Sequence, residues 1–155
     1  MRKFFSGAAV LLLIFSLIGI ASAGGRATRE ECMVKCKTAA QMVADKGLDA
    51  ALAAVQDRKG AFVWKDTYVF CIDMEKQANA AHPIKPGLVG KNLMAIKDAN
   101  GKLYFAEFIN LAREKGEGWV SYAWPKPGEK KLSSKTTFVY RVPGQSFLMA
   151  AGVYE

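Results

Sequence analysis

The chain has 155 residues, 51% of them apolar, with 22 lysine and arginine against 14 acidic side chains and a formal charge of +8; this suits one core and is too short for two. The densest basic runs, residues 113–115 and 126–135, do not alternate with aromatics at a helical or groove-like spacing. That argues against a nucleic-acid partner and for solvated faces with mild steering of anions.

At the start, Arg2 and Lys3 precede an apolar run over residues 8–20 that closes on Ala21-Ser22-Ala23. A charged beginning, a short apolar middle and small residues at the end are the marks of a secretory signal peptide. Cleavage after Ala23 removes Arg2 and Lys3 and leaves 132 residues with 20 basic against 14 acidic side chains, a balance of +6. The alternative is an uncleaved anchor, since residues 4–23 approach the roughly 20 that span a bilayer; the small-residue site favours removal. The mature protein, residues 24–155, is therefore expected in the periplasm or secreted.

Thr28 followed by Glu31 makes a capping box, and good helix formers continue to Asp45, with Gly47 as the stop. Cys32, Cys36, Ala39 and Val43 fall on one stripe of this first helix, which is amphipathic and not membrane-spanning. A second, alanine-rich helix is expected over residues 48–55, broken by Asp57-Arg58-Lys59-Gly60. Residues 62–64 and 68–72 are β-branched and aromatic and read as strands around an Asp66-Thr67 turn. The polar stretch 73–81 and the segment 82–87 are expected to form a long ordered loop, because each proline of the latter removes a backbone donor. Asn100-Gly101 marks a turn. Beyond it Phe105, Phe108, Ile109 and Ala112 recur at helical spacing over residues 102–115. Three strands, 119–124, 135–142 and 147–154, follow with short links that make them antiparallel neighbours. The sum is an α+β domain: an antiparallel sheet with helices on one face.

No catalytic constellation assembles. The chain lacks GxSxG, HExxH, paired histidines and a glycine-rich phosphate cradle, and without CxxCH covalent haem attachment has no support. An enzyme, a cofactor and a metal are therefore not expected. Three cysteines in an oxidising compartment leave at least one thiol over. Cys32 and Cys36 are poorly placed for each other at four residues' spacing on a helix. A bridge from either to Cys71 is open if the helix packs on that strand; three small buried hydrophobes is the plainer reading. A redox or metal role for them is kept as an alternative.

What remains is a set of aromatic and polar groups in apolar surroundings: Trp64, Tyr68, His82, Tyr122, Trp124, Lys135 and Tyr140. Aromatic walls with a few polar groups suit a small-molecule pocket, and a lysine with an imidazole suits a carboxylate. Each has a plainer reading too. The tryptophans and Tyr140 can be packing, His82 can tie down its own loop, and Lys135 can be a solvated strand lysine.

The segments DTYVFCIDMEKQANAAHPIKPGLVGKNL, KDANGKLYFAEFINLAREKGEGWVSYAWPKPGEKK and KTTFVYRVPGQSFLMAAGVYE resemble the single Cache domains of bacterial extracytoplasmic sensors. AHP…LVGKNL and GWVSYAWPKPG…K carry most of the likeness. The resemblance implies a long N-terminal helix and a PAS-like antiparallel sheet that encloses one small organic ligand, often a short carboxylate. It also implies pocket residues: Tyr68, His82, Pro83, Tyr122, Trp124 and Lys135, with Trp64 closing the mouth. Two departures stand out. MEKQANAAHP lacks the glycine turn often found before the His-Pro pair, and no output module is expected after Tyr154-Glu155. The expectation is a free periplasmic binder of an anionic metabolite that passes its occupancy to a membrane receptor or histidine kinase. The alternative is an interaction module that docks on such a partner without a ligand.

Overall fold

The computed structural model describes residues 25–155, so the signal-peptide reading lies outside the described residues. Helix α1 spans Arg29–Lys46 and is capped as its sequence requires. The Thr28 hydroxyl accepts the Glu31 N–H at 3.2 Å, while the Glu31 carboxylate accepts the Thr28 N–H at 2.9 Å. Gly47, at φ 87°, ends α1 and opens α2, Leu48–Gln56, a conformation that glycine adopts without strain. No helix among the described residues is long and apolar enough to cross a membrane.

Six strands follow: β1 (Val63–Trp64), β2 (Thr67–Asp73), β3 (Ala78–Ala81), β4 (Glu117–Pro125), β5 (Leu132–Arg141) and β6 (Phe147–Tyr154). They form one antiparallel sheet in the order β1-β2-β6-β5-β4, with β3 also paired to β2. Because β6 holds the inner edge of β2, β1 and β3 share its outer edge. The C-terminal meander is as expected. Its register runs from Glu117↔Tyr140 to Pro125↔Leu132 between β4 and β5, and from Lys135↔Tyr154 to Arg141↔Leu148 between β5 and β6. Helix α3, Tyr104–Lys115, connects the two halves.

The α+β class, the PAS-like sheet and the long N-terminal helix match the sequence reading, but the helices do not share one face. Val69, Cys71, Phe138 and Ala151 pack under α1 and α2, whereas Phe70, Ile72, Val120 and Val139 pack under α3. Successive residues of a strand point to opposite faces, so β2, buried at all seven positions, feeds two cores at once. The absence of a polar alternation in β2 is the sequence mark of a strand covered on both sides.

A second correction concerns residues 73–87. They are not one long loop, since Ala78–Ala81 returns along β2 as β3 after a tight turn with Gln77 at φ 55°. The Asp73 carboxylate holds that turn by accepting the N–H groups of Glu75 and Lys76, each at 3.0 Å. Alanine and asparagine have poor strand propensity; pairing with a buried edge overrides it here. The β1–β2 turn is Lys65-Asp66, one residue earlier than expected.

Cys32, Cys36 and Cys71 are free thiols buried together in the α1–α2 layer. Among the described residues no group of three or more His, Cys, Asp or Glu could hold a metal ion.

Candidate ligand-binding site

A hollow lies between α3 and the sheet, reaching from β2 to β4 and closed at the side by the segment after β3; its free space is only about 20 Å³. That is room for about one water, far short of the roughly 300–1,000 Å³ of pockets for drug-sized ligands, so a guest would have to part the rings. Tyr68 and Phe70 from β2, Tyr122 and Trp124 from β4, and Tyr104, Phe105 and Phe108 from α3 make the walls. Asn79, His82, Leu88 and Leu93 complete it.

The walls are braced against one another. Trp124 Nε1 donates to the Tyr68 hydroxyl at 2.9 Å, Thr137 Oγ1 lies 3.3 Å from the Tyr122 hydroxyl, and the Tyr104 and Tyr122 rings stack at 4.5 Å and 9°. Burial pushes Tyr68 up to about 12, so its phenol stays neutral.

His82 follows β3 directly and is only 3% exposed. Its ring stacks on Phe70 at 5.5 Å, and its Nδ1 accepts the Lys85 N–H at 3.1 Å. With Nδ1 committed as acceptor, the neutral ring carries its proton on Nε2. Burial, reinforced by Lys135 and Lys85, lowers its pKa to about 3. The imidazole is therefore a neutral N–H donor at physiological pH.

Lys135 starts from the middle of β5 and is wholly buried. Its ammonium lies 4.3 Å from the Tyr68 ring centroid, 4.8 Å from that of Tyr154 and 5.8 Å from that of Phe70. Nζ has no hydrogen-bond partner among the described residues, and neither has Asn79 Oδ1. Burial first of all brings the Lys135 pKa down to about 7. Gly152 on the neighbouring β6 makes this placement feasible. A Cβ there would come within 2.9 Å of Lys135 Cε and 2.8 Å of the Thr136 carbonyl. The bare glycine is the notch through which the lysine stem crosses β6 toward Tyr68.

The expected site residues thus divide. Tyr68, His82, Tyr122 and Trp124 line the hollow, and Lys135 sits against two of its rings. Pro83 is buried beside His82 without lining it. Trp64 does not join them: it packs with the α1–α2 layer, with the Lys35 ammonium 5.7 Å over its ring. Tyr140 packs in that layer as well, under Lys37. Sequence reasoning missed Asn79, inside the stretch read as loop. It also missed Tyr104, Phe105 and Phe108, whose helical spacing spoke only of a buried face.

A family model described as a Cache domain (dCache_2) matches residues 49–155. The chain belongs to the Cache domain family. Among curated proteins, this Cache domain is 37% identical over 73 residues to the methyl-accepting chemotaxis protein McpP of Pseudomonas putida. The match takes in 47% of the chain and 13% of McpP, so the chain spans only a small part of that relative. A solved periplasmic sensor domain of a chemotaxis protein superposes with a TM-score of 0.65 at 29% identity, over 81% of this chain and 88% of that one. A Cache chemosensory domain solved to explain carboxylic acid recognition gives 0.66 at 27% identity, over 81% and 91%. The fold and family are those of extracytoplasmic ligand-sensing domains.

Proposed function

We propose that the protein is a periplasmic sensor domain that binds a short organic carboxylate reversibly and without a covalent step. It would do so after removal of its leader, and hand its occupancy to a chemoreceptor or histidine kinase. The observation that carries this reading is the Lys135 ammonium, buried with no hydrogen-bond partner among the described residues, against two rings of a small aromatic hollow. An unpaired buried charge is costly, and a carboxylate seated in the hollow would supply its counter-charge. The neutral His82 would add a hydrogen bond from Nε2, and charge-assisted bonds of this kind are about twice as strong as neutral ones. Asn79 would accept from a hydroxyl or a water carried with the ligand. So narrow a hollow favours the smallest acids, seated as the rings part around them. The carboxylic acid named for one structural relative points the same way.

The test is thermal unfolding of the mature protein against acetate, propionate and larger carboxylates. A ligand at a hundredfold over its dissociation constant adds about 2.7 kcal/mol of stability. Lys135→Met should abolish the shift. No shift with any short carboxylate rejects the reading, and a shift that survives Lys135→Met removes the assigned anchor.

A further inference from the structure

We propose that Gln56, the last residue of α2, is the positioning residue for His82, so that the imidazole at the hollow is held in place from the helix layer on the other face of the sheet. This rests on the binding role of His82 proposed above.

The ladder between β2 and β3 reaches only to Cys71↔Ala81, and its register is already irregular between Cys71 and Ile72. His82 is the next residue. It remains buried, yet its peptide has no strand beside it, and Pro83 behind it has no N–H and holds His82 extended. Buried peptide groups need partners. Gln56 provides both: the His82 N–H donates to Gln56 Oε1 at 2.8 Å, and Gln56 Nε2 donates to the His82 carbonyl at 3.2 Å. A side-chain amide offers one acceptor and one donor side by side, and here it stands in for the missing strand.

The ring has a separate anchor in the Lys85 N–H on Nδ1. Two fixed points, one on the peptide and one on the ring, determine where Nε2–H is aimed. Releasing the first leaves the second on a segment free to turn. Gln56 itself belongs to α2, whose Ala51 and Val55 are buried with α1 and not with the hollow. Its side chain therefore reaches from one layer to the loop that closes the other, and a shift of α2 becomes a shift of the imidazole.

A purely structural glutamine would cost stability and nothing else, so the test reads the ring directly. Gln56→Met keeps the size and removes both bonds. In ¹⁵N-labelled protein the His82 signals should change from the Nε2–H form to an average of tautomers, and acetate should bind at least tenfold more weakly. An unchanged imidazole spectrum with acetate affinity within twofold of wild type overturns the proposal. If the wild-type protein itself binds neither acetate nor any other short carboxylate, the binding reading fails, while the imidazole spectrum of Gln56→Met still decides the positioning role. Should Gln56→Met not fold, Gln56→Glu is read by the same criteria, since its carboxylate can accept from His82 N–H but cannot donate to the carbonyl.

Discussion

Burial lowers the pKa of both Lys135 and His82, so each resists a positive charge inside the protein, but over different pH ranges, and a stability profile separates them. The folded Lys135 has a pKa of about 7, against an ordinary 10.5. Between those values the folded chain holds fewer protons than the unfolded one, so this group makes stability rise with pH from about 7 to 10. The slope approaches 1.4 kcal/mol per pH unit, and it should vanish in Lys135→Met. For His82, lowered from 6.5 to about 3, the same inequality holds at lower pH, so stability falls as pH drops from 6.5 toward 3. Above about pH 10 the buried tyrosines, pushed up by burial, reverse the trend. Urea midpoints from pH 3 to 11 check all three arms; a flat wild-type profile between pH 7 and 10 would contradict the buried ammonium. Gly152→Ala is a more local probe. Its Cβ would press on a backbone carbonyl and on the lysine stem. The expected loss is about 1–3 kcal/mol, the usual cost of overpacking, together with the carboxylate-induced shift. At this scale the sequence was informative about chemistry more than place. A lysine with an imidazole could be read from residue types as suited to a carboxylate, but only cross-strand register shows that Gly152 lies in the lysine's path.

Elements were legible where local signals agreed with the tertiary outcome. The capping box of α1, the Gly47 stop and the strand-turn spacing of β4 to β6 are local, and each lies where expected within a few residues. β3 was not legible, because its Ala-Asn-Ala-Ala segment has no intrinsic reason to extend and is drawn into the sheet only by the free outer edge of β2. The side on which α3 packs was likewise hidden, since an amphipathic stripe shows that a helix has a buried face but not which surface receives it. The cap of α1 is reinforced by its surroundings. Asp66 accepts the Ala27 N–H at 2.8 Å, and Lys65 pairs with Glu31 at 2.6 Å, so the β1–β2 turn and the start of the helix hold each other. Thr28→Ala should cost about 1 kcal/mol, measured by denaturant unfolding. A loss well beyond 2 kcal/mol would mean that the tie to the turn fails along with the cap.

In the whole molecule, the sheet separates two interiors of different character. The α1–α2 side is filled with small groups, Cys32, Cys36, Ala39, Ala40 and Ala51, which let the helices lie close; the α3 side is filled with aromatic rings around a hollow. Which interior would hold the ligand could be inferred from sequence only through the resemblance, for aromatics occur on both sides and Trp64 belongs to the other one. β2 is the shared wall. Tyr68 and Phe70 border the hollow while Val69 and Cys71, interleaved with them on the same seven residues, support the helices. A metabolite that displaced the rings would therefore move the floor on which α1 rests, with no hinge or linker in between. A spin label at the exposed Val34 of α1 would sense a guest it never touches.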